Sequence, residues 1–417
     1  MGAALSRLQE GRARCCGILC RIWLSAALWA LCVSVQAQAD VDATALLSAR
    51  PSSGVLVLHS DYRDHPYIDA NVLLWLGAPM SYGLRDRVYG DVVTVNVDMG
   101  DPQGWLRGRA GRFILATGAV RPVHLDGLWL RSRLPWGARA EVFGGVPVAD
   151  GLERRGYDWF VGGRVAQGVW EDRFQAGLSY VQQRDQGQVA NEEVGADLRL
   201  QLSRRLWLTA VGAWDLVYRG LATFEARATW QSSPQGWLVR GVALRRVAAR
   251  LLPATSLFST ISDSASSEVG GELHVPLFPR LSVGGLWALQ WQDGLPASEY
   301  GYRATARARL RLDAKGAGAV TAELSRRGGF EAGYSALYLG VEQALNEQWS
   351  CHGAGELVMA DHGDDVGHIW PWLNLGLRWD AGSALYMAAA FIARSSPQYV
   401  AEYNALLRVG FHAGSAP

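Results

Sequence analysis

Apolar residues alternate with polar or small ones in segment after segment from Tyr67 to Phe411, the period of two that marks a β-strand. Phe174, Ala176, Leu178 and Tyr180 interleave with Gln175, Gly177 and Ser179, and Val194, Ala196, Leu198 and Leu200 with Asp197, Arg199 and Gln201. The cleanest segment sets Tyr302, Ala304, Ala306, Ala308, Leu310 and Leu312 against Arg303, Thr305, Arg307, Arg309 and Arg311. A helix would spread those arginines around its circumference, whereas a strand holds them on one face. The segments run to about 10–12 residues, close to the 9–11 of a tilted membrane strand and well beyond the 5–6 of most soluble strands. The pattern therefore predicts an all-β chain: a transmembrane antiparallel up-and-down barrel of about eighteen to twenty strands over residues 67–412. Residues 40–66 are read as a short periplasmic segment and 413–417 as a tail.

Connection lengths point the same way. Short turns are expected at 203–205, 232–236, 313–318, 345–348 and 380–383, and longer polar loops at 184–193, 248–267, 293–300, 326–332 and 360–369. Short periplasmic turns facing longer extracellular loops are the asymmetry of outer-membrane barrels. Residues 248–267 could fold into the lumen. Trp207, Trp237, Trp349 and Trp379 fall beside short turns, and Trp214, Trp291 and Trp370 beside long loops, as two interfacial belts would require. The last segment places Ala401, Tyr403, Ala405, Leu407, Val409 and Phe411 in one row, which resembles the terminal strand read by the barrel-assembly machinery.

Ahead of these segments, Arg7, Arg12 and Arg14 precede an apolar run over Ile22–Val35, and Ala37-Gln38-Ala39 offers small residues at a cleavage position. Residues 1–39 are thus expected to be a signal peptide. Four of the five cysteines lie within them, which leaves Cys351 alone in the exported chain without a disulfide partner. After Asp40 no apolar run is long enough for a membrane-spanning helix. With 40 basic and 39 acidic side chains the sequence lacks the basic footprint of a nucleic-acid binder. These features place the protein in the outer membrane of a Gram-negative cell, among outer-membrane lipid.

Charged and amide residues fill the polar rows. Arg199, Glu225, Arg227, Arg303, Arg307, Arg309, Arg311, Trp372, Arg378, Glu402 and Arg408 are expected to line the lumen and the solute path, together with Asp197, Glu272, Glu356 and the amides Gln175, Gln201, Gln290, Gln292, Asn374 and Asn404. Facing lipid, each arginine would cost about 2–4 kcal/mol at mid-depth, so the rows must meet water or one another. The row Arg303–Arg311 finds only Glu323 on the following strand, a local positive excess that favours an anionic or strongly hydrogen-bonding solute.

Catalytic constellations are missing: there is no Gly-x-Ser-x-Gly elbow, no HExxH, no paired CxxC and no phosphate loop. His59, Asp61 and His65, and the loop Asp361, His362, Asp364, Asp365 and His368, carry metal-ligand types in spacings that match no standard site. The reading is of a protein that is not an enzyme and carries no cofactor or metal.

Three early motifs add a resemblance. Arg107-Gly108-Arg109-Ala110-Gly111-Arg112, His124-Leu125-Asp126-Gly127-Leu128-Trp129-Leu130-Arg131 and Val142-Phe143-Gly144-Gly145-Val146-Pro147 resemble the early strands of Wzp-type exopolysaccharide-export porins of myxobacterial pathways, and more distantly alginate-export barrels. The chain departs from the latter at Gly111-Arg112-Phe113, where they carry Gly-Arg-Gln. The resemblance implies a pore through which a secreted polysaccharide leaves the periplasm downstream of a Wzx/Wzy-type pathway. It also implies a separate periplasmic polysaccharide-export protein without its own outer-membrane span. The alternatives are a general or sugar-selective uptake porin and, from another class, an outer-membrane enzyme that modifies lipid or polysaccharide.

Overall fold

The computed structural model describes residues 40–49, 52–79, 89–101, 103–148, 158–170, 173–247, 265–293, 300–313, 317–329, 333–364, 367–382, 384–396 and 399–413. The first strands are β1 (Asp40–Ala49), β2 (Ser52–His65), β3 (Ile68–Pro79), β4 (Tyr89–Gly100), β5 (Leu106–Thr117) and β6 (Val120–Arg133). They are followed by β7 (Ala138–Pro147), β8 (Trp159–Val169), β9 (Phe174–Asp185), β10 (Gln188–Gln201), β11 (Leu206–Asp215) and β12 (Gly220–Gln231). Next come β13 (Leu238–Val247), β14 (Ala265–Phe278), β15 (Leu281–Gln292), β16 (Gly301–Arg311) and β17 (Gly318–Gly328). The last are β18 (Tyr334–Ala344), β19 (Trp349–Asp364), β20 (Gly367–Ala381), β21 (Leu385–Ser396) and β22 (Tyr399–Ala413).

Each strand pairs antiparallel with the next, and β1 pairs with β22 from Val41↔Ala413 to Ser48↔Leu406. The sheet is therefore a closed, up-and-down barrel of 22 strands with no free lateral edge at its seam. Two expectations are corrected here. The wall begins at Asp40 rather than Tyr67, and the strands number 22 rather than eighteen to twenty, because β1 and β2 complete the cylinder. The even number brings both ends of the wall to one rim. Residues 1–39 and 414–417 lie outside the described residues, as do 248–264 of the segment considered for the lumen.

At the rim shared by the chain ends the connections are short, as at 202–205, 279–280 and 345–348. The opposite rim carries the long ones, at 80–88, 148–158, 248–264 and 293–300. Three expected loops are largely strand instead. β9 and β10 remain paired to Asp185↔Gln188 around Gln186 and Gly187, both at positive φ, which is the two-residue hairpin turn. β17 runs on to Gly328, and β19 and β20 meet at Asp364↔Gly367. Polarity there marks hairpins continuing into solvent, not the end of pairing.

The outward face is apolar. Leu178, Val194, Leu273, Leu324, Leu337, Leu339, Leu373, Leu375 and Leu377 alternate with the polar rows and are exposed, as a lipid-facing surface must be. Replacing Leu375, half exposed between Gly353 and Phe391, with arginine is expected to destabilise the barrel by about 2–4 kcal/mol in lipid vesicles, read as a lower denaturant midpoint for refolding. At the rims, Trp349 and Trp379 face outward side by side, their rings tilted by 33° with centroids 6.2 Å apart, and Trp214 and Trp291 face outward near the other end. Trp207 and Trp370 do not belong to these belts: their register partners Thr229 and Val358 turn them inward.

Candidate functional site: the barrel interior

The inner face is fixed by one set of contacts. Arg121, near the start of β6, binds Glu193 of β10 (Nε to Oε2, 3.2 Å), reaching past β7, β8 and β9. Only a chord across the concave side of a closed sheet makes that contact. Pairing then carries the face around the wall. Glu193 lies on the same side as Asp197 and Arg199; Arg199 opposes Thr209, Thr209 opposes Arg227, and Thr229 opposes Arg240. From there the face runs through Glu272, Leu286 and Thr305 to Glu323, Tyr338, Glu356, Trp372, Arg394 and Glu402.

Arg199, Glu225, Arg227, Arg303, Arg307, Arg309, Arg311, Trp372, Arg378, Glu402 and Arg408 all lie on this face. Most of the arginines are paired. Arg227 bonds Glu225 at 2.5 Å, Arg378 bonds Asp380 at 2.6 Å, and Glu402 accepts from Arg394 at 2.6 Å. Arg378 and Arg408 cover the ring of Tyr386 at 4.7 and 5.1 Å, geometry in which the quadrupole attracts a cation.

The positive excess expected of Arg303–Arg311 is corrected. Arg307 binds Glu323 at 2.5 Å, but Arg303 reaches Glu268 on β14 at 2.5 Å and Arg309 approaches Glu342 on β18 at 3.7 Å. Both carboxylates sit two strands away. Arg303 can cross β15 because Ala288 is the residue between, and Gln290 donates to the same Glu268 at 2.6 Å. Among the described residues Arg311 is the member of the row with no carboxylate partner. The wall here is a lattice of charge-assisted hydrogen bonds more than a field of one sign.

The metal-ligand candidates do not converge. His59 and Asp61 share the amide of Asn71 (2.9 and 2.6 Å), and no group of three or more His, Cys, Asp or Glu side chains converges among the described residues. Asp361 is held by Arg326 (Nη2 to Oδ2, 2.8 Å). The side chains of His65, His362, Asp364, Asp365 and His368 lie outside the described residues.

A feature that sequence reasoning missed occupies the lumen. β5 pairs with β4 only from Val95↔Arg112 to Gly100↔Arg107, and β6 pairs with β7 no further than Leu125↔Pro147. Beyond those points β5 and β6 stay paired with each other through Leu115↔Val123 to the turn at Gly118 and Ala119, leaving the wall as a hairpin. Its tip turns down onto the inner face. Thr117 donates to Glu141 of β7 at 2.8 Å, and Gly118 lies against Arg164 and Asp197. Phe113, Leu115, Val120 and Leu125 of the hairpin pack on Phe143, Phe160 and Val181 of the wall, a small apolar core inside an otherwise polar tube.

Beside that core, Arg164 is shared between Glu141 (2.9 Å) and Asp197 (2.7 and 2.9 Å), and Trp129 Nε1 donates to Glu141 at 3.1 Å. Glu193 and Asp215, opposite each other in register, are 2 % and 1 % exposed. Burial of carboxylates to that extent is tolerated only with partners, and Arg121 and the backbone N–H of Tyr218 (2.8 Å) supply some of them.

The bend has a visible cause. Gly111 opposes Gly127, and Gly127 opposes Gly145, so three strands lack a side chain along one line. Gly111 adopts φ +115°. A Cβ on Gly127 would fall 2.2 Å from the Gly144 carbonyl oxygen, and one on Gly145 would fall 2.3 Å from that of Asp126. Backbones approach there as only glycine permits. The signal was present in the motifs Arg107–Arg112, His124–Arg131 and Val142–Pro147, each of which contributes one glycine of the crease.

Between the hairpin and the wall of β6–β12 lies a cavity of about 730 Å³, lined by Arg109, Trp129, Arg131, Arg199, Thr209 and Glu225 among others. A second, of about 400 Å³, lies over Arg303, Arg307, Arg309 and Glu323.

No protein-family model matches the sequence, and no curated protein does. Solved structures do match over most of the length. The translocation pore of the P pilus usher PapC superposes with a TM-score of 0.54 at 9% identity, covering 91% of this chain and 99% of that one. The copper transporter OprC gives 0.55 at 11% identity, covering 90% and 81%. The ferric enterobactin receptor PfeA gives 0.56 at 9% identity, covering 90% and 82%. At such identities the likeness is one of fold: this chain has the fold of large outer-membrane β-barrels.

Proposed function

We propose that this protein is an outer-membrane channel through which a secreted polysaccharide leaves the periplasm. The observation that carries the reading is the closed wall of 22 strands, apolar outside and studded inside with paired charges and amides. A barrel of that size encloses a lumen wide enough for a hydrated chain. Arg–carboxylate pairs together with Gln175, Gln290, Asn374 and Asn404 offer donors and acceptors along the wall, the chemistry that suits a hydroxyl-rich polymer sliding past. The resemblance of the three glycine-bearing motifs to exopolysaccharide-export porins supports the direction of transport. The polymer would be delivered by a separate periplasmic export protein, and the barrel would be inserted by the barrel-assembly machinery.

Deleting the gene tests this reading. Loss of extracellular polysaccharide with synthesis intact is the expected result; normal export would overturn it. Within the pore, Arg307→Glu with Arg309→Glu leaves Glu323 and Glu342 facing two further carboxylates. The reversal potential in a planar bilayer under a salt gradient is expected to move toward cation selectivity. An unchanged reversal potential would place these residues off the ion path.

A further inference from the structure

Where β5 leaves the wall, β4 is left with an open edge. Among the described residues no strand pairs with Tyr89–Thr94 on the side that β5 occupies lower down. Two side chains partly cap that edge. Arg112 grips Asp126 with two bonds (2.7 and 2.8 Å) and extends Nη1 to the Val92 carbonyl oxygen at 3.1 Å, while His124 Nε2 lies 2.6 Å from the Val93 carbonyl oxygen. An unpaired strand edge is a template for another strand, and its backbone groups lose free energy when left unmatched.

We propose that this edge is the second docking site of the β5–β6 hairpin: the tip swings out of the lumen about the glycine crease and zips onto β4, opening the channel. Past Val95↔Arg112 the bulge of β4 at Val93 shifts the ladder by one residue, which sets Val92 opposite Ile114, Asp91 opposite Leu115 and Gly90 opposite Ala116. Continuity with the existing β4–β5 ladder makes β5 itself the occupant.

The side chains fit both positions. Ile114 is half exposed and lines the lumen cavity when the tip is folded in. In the extended ladder it joins the outward row of Val95, Val97 and Met99 against lipid. Pro122 has no N–H to lose on the edge of β6 that finds no partner on β7 beyond His124. Folded in, the tip is held by Thr117, Arg121, Arg164 and the small core; swung out, it recovers backbone pairs along β4. Two arrangements of one segment, each with its own contacts, make a bistable element.

The gating role rests on the channel reading, so the test separates hairpin position from conduction. In a Cys351→Ala background, Ala119→Cys/Gly195→Cys joins the tip to β10, where a Cβ on Gly195 would meet the Ala119 Cβ. Asp91→Cys/Leu115→Cys joins it to β4, a bond available only after the swing, because Leu115 packs with Phe143 and Phe160 when the tip is folded in. Both pairs are expected to cross-link on oxidation in membranes, read on gels whether or not the barrel conducts. The first should abolish high-conductance openings and the second should hold them open, each reversed by reductant. Failure of Asp91→Cys/Leu115→Cys to cross-link while each single cysteine reacts with a soluble thiol reagent would overturn the proposal. Cross-linking of both pairs in a protein that never conducts would leave the swing standing and remove the channel. If cysteines disturb assembly, Thr117→Val, which deletes only the hydroxyl bound to Glu141, is expected to lengthen the open intervals. Unchanged intervals count against the swing.

Discussion

Excising Ile114–Val123 and closing the gap between Phe113 and His124 with two glycines should raise single-channel conductance several-fold and admit neutral sugars too large for the intact pore. The hairpin is the part of the described chain that turns into the lumen, and its tip, with the side chains that pin it, narrows the interior over β6–β10. Its removal leaves every wall pair in place, because β4–β5 pairing stops at Arg112 and β6–β7 pairing at Leu125. The barrel is therefore expected to assemble, and gel mobility that changes on heating would report it. The excision asks only whether the tip obstructs the tube, not whether it moves. Equal conductance in the excised and intact proteins would mean that solute travels past the tip unhindered.

Much of the wall was written in the alternation. β10, β12 and β16 appear in the structure with the expected polar face inward, since each has small or apolar residues on one side and charges on the other. β2 escaped because it does not alternate. Val55, Leu56, Val57 and Leu58 are apolar on both faces, so period-two reading had nothing to detect there. β1 does alternate, Val41, Ala43, Ala45 and Leu47 against Asp40, Asp42, Thr44 and Ser48, but is short and stands apart from the other repeats, behind β2. The partners of Arg303 and Arg309 were hidden for a different reason. A sequence shows which residues share a strand, but register two strands away depends on the lengths of two intervening turns. The inward hairpin was hidden by its own chemistry: Phe113, Leu115 and Leu125 continue a pattern that suits a membrane strand, and only contact with Phe143, Phe160 and Val181 reveals them as a core. Its crease was legible as a run of glycine motifs, though its geometric meaning was not.

Arg164→Met should release the tip. The guanidinium is 7 % exposed and is shared by Glu141 and Asp197, themselves 6 % and 14 % exposed, so its loss leaves two carboxylates in a confined site with their common cation gone. Breaking a buried ion pair from one side costs about 3–5 kcal/mol, more than a small docked segment can be expected to hold in reserve. The consequence is local: the hairpin undocks while the 22-strand ladder persists. A broad-specificity protease added from outside should then cut within Ile114–Val123 in the variant and not in the parent, with the mobility shift on heating unchanged. The interpretation hinges on a third protein. Adding Glu141→Gln and Asp197→Asn to Arg164→Met removes the stranded charges while keeping their shapes, and an uncharged amide can still accept from Thr117 and Trp129. Protease resistance should return in that triple variant if uncompensated charge is what drives the tip off the wall. If the triple variant is cut as readily as the single one, the packing of the arginine stem, rather than its charge, holds the hairpin down.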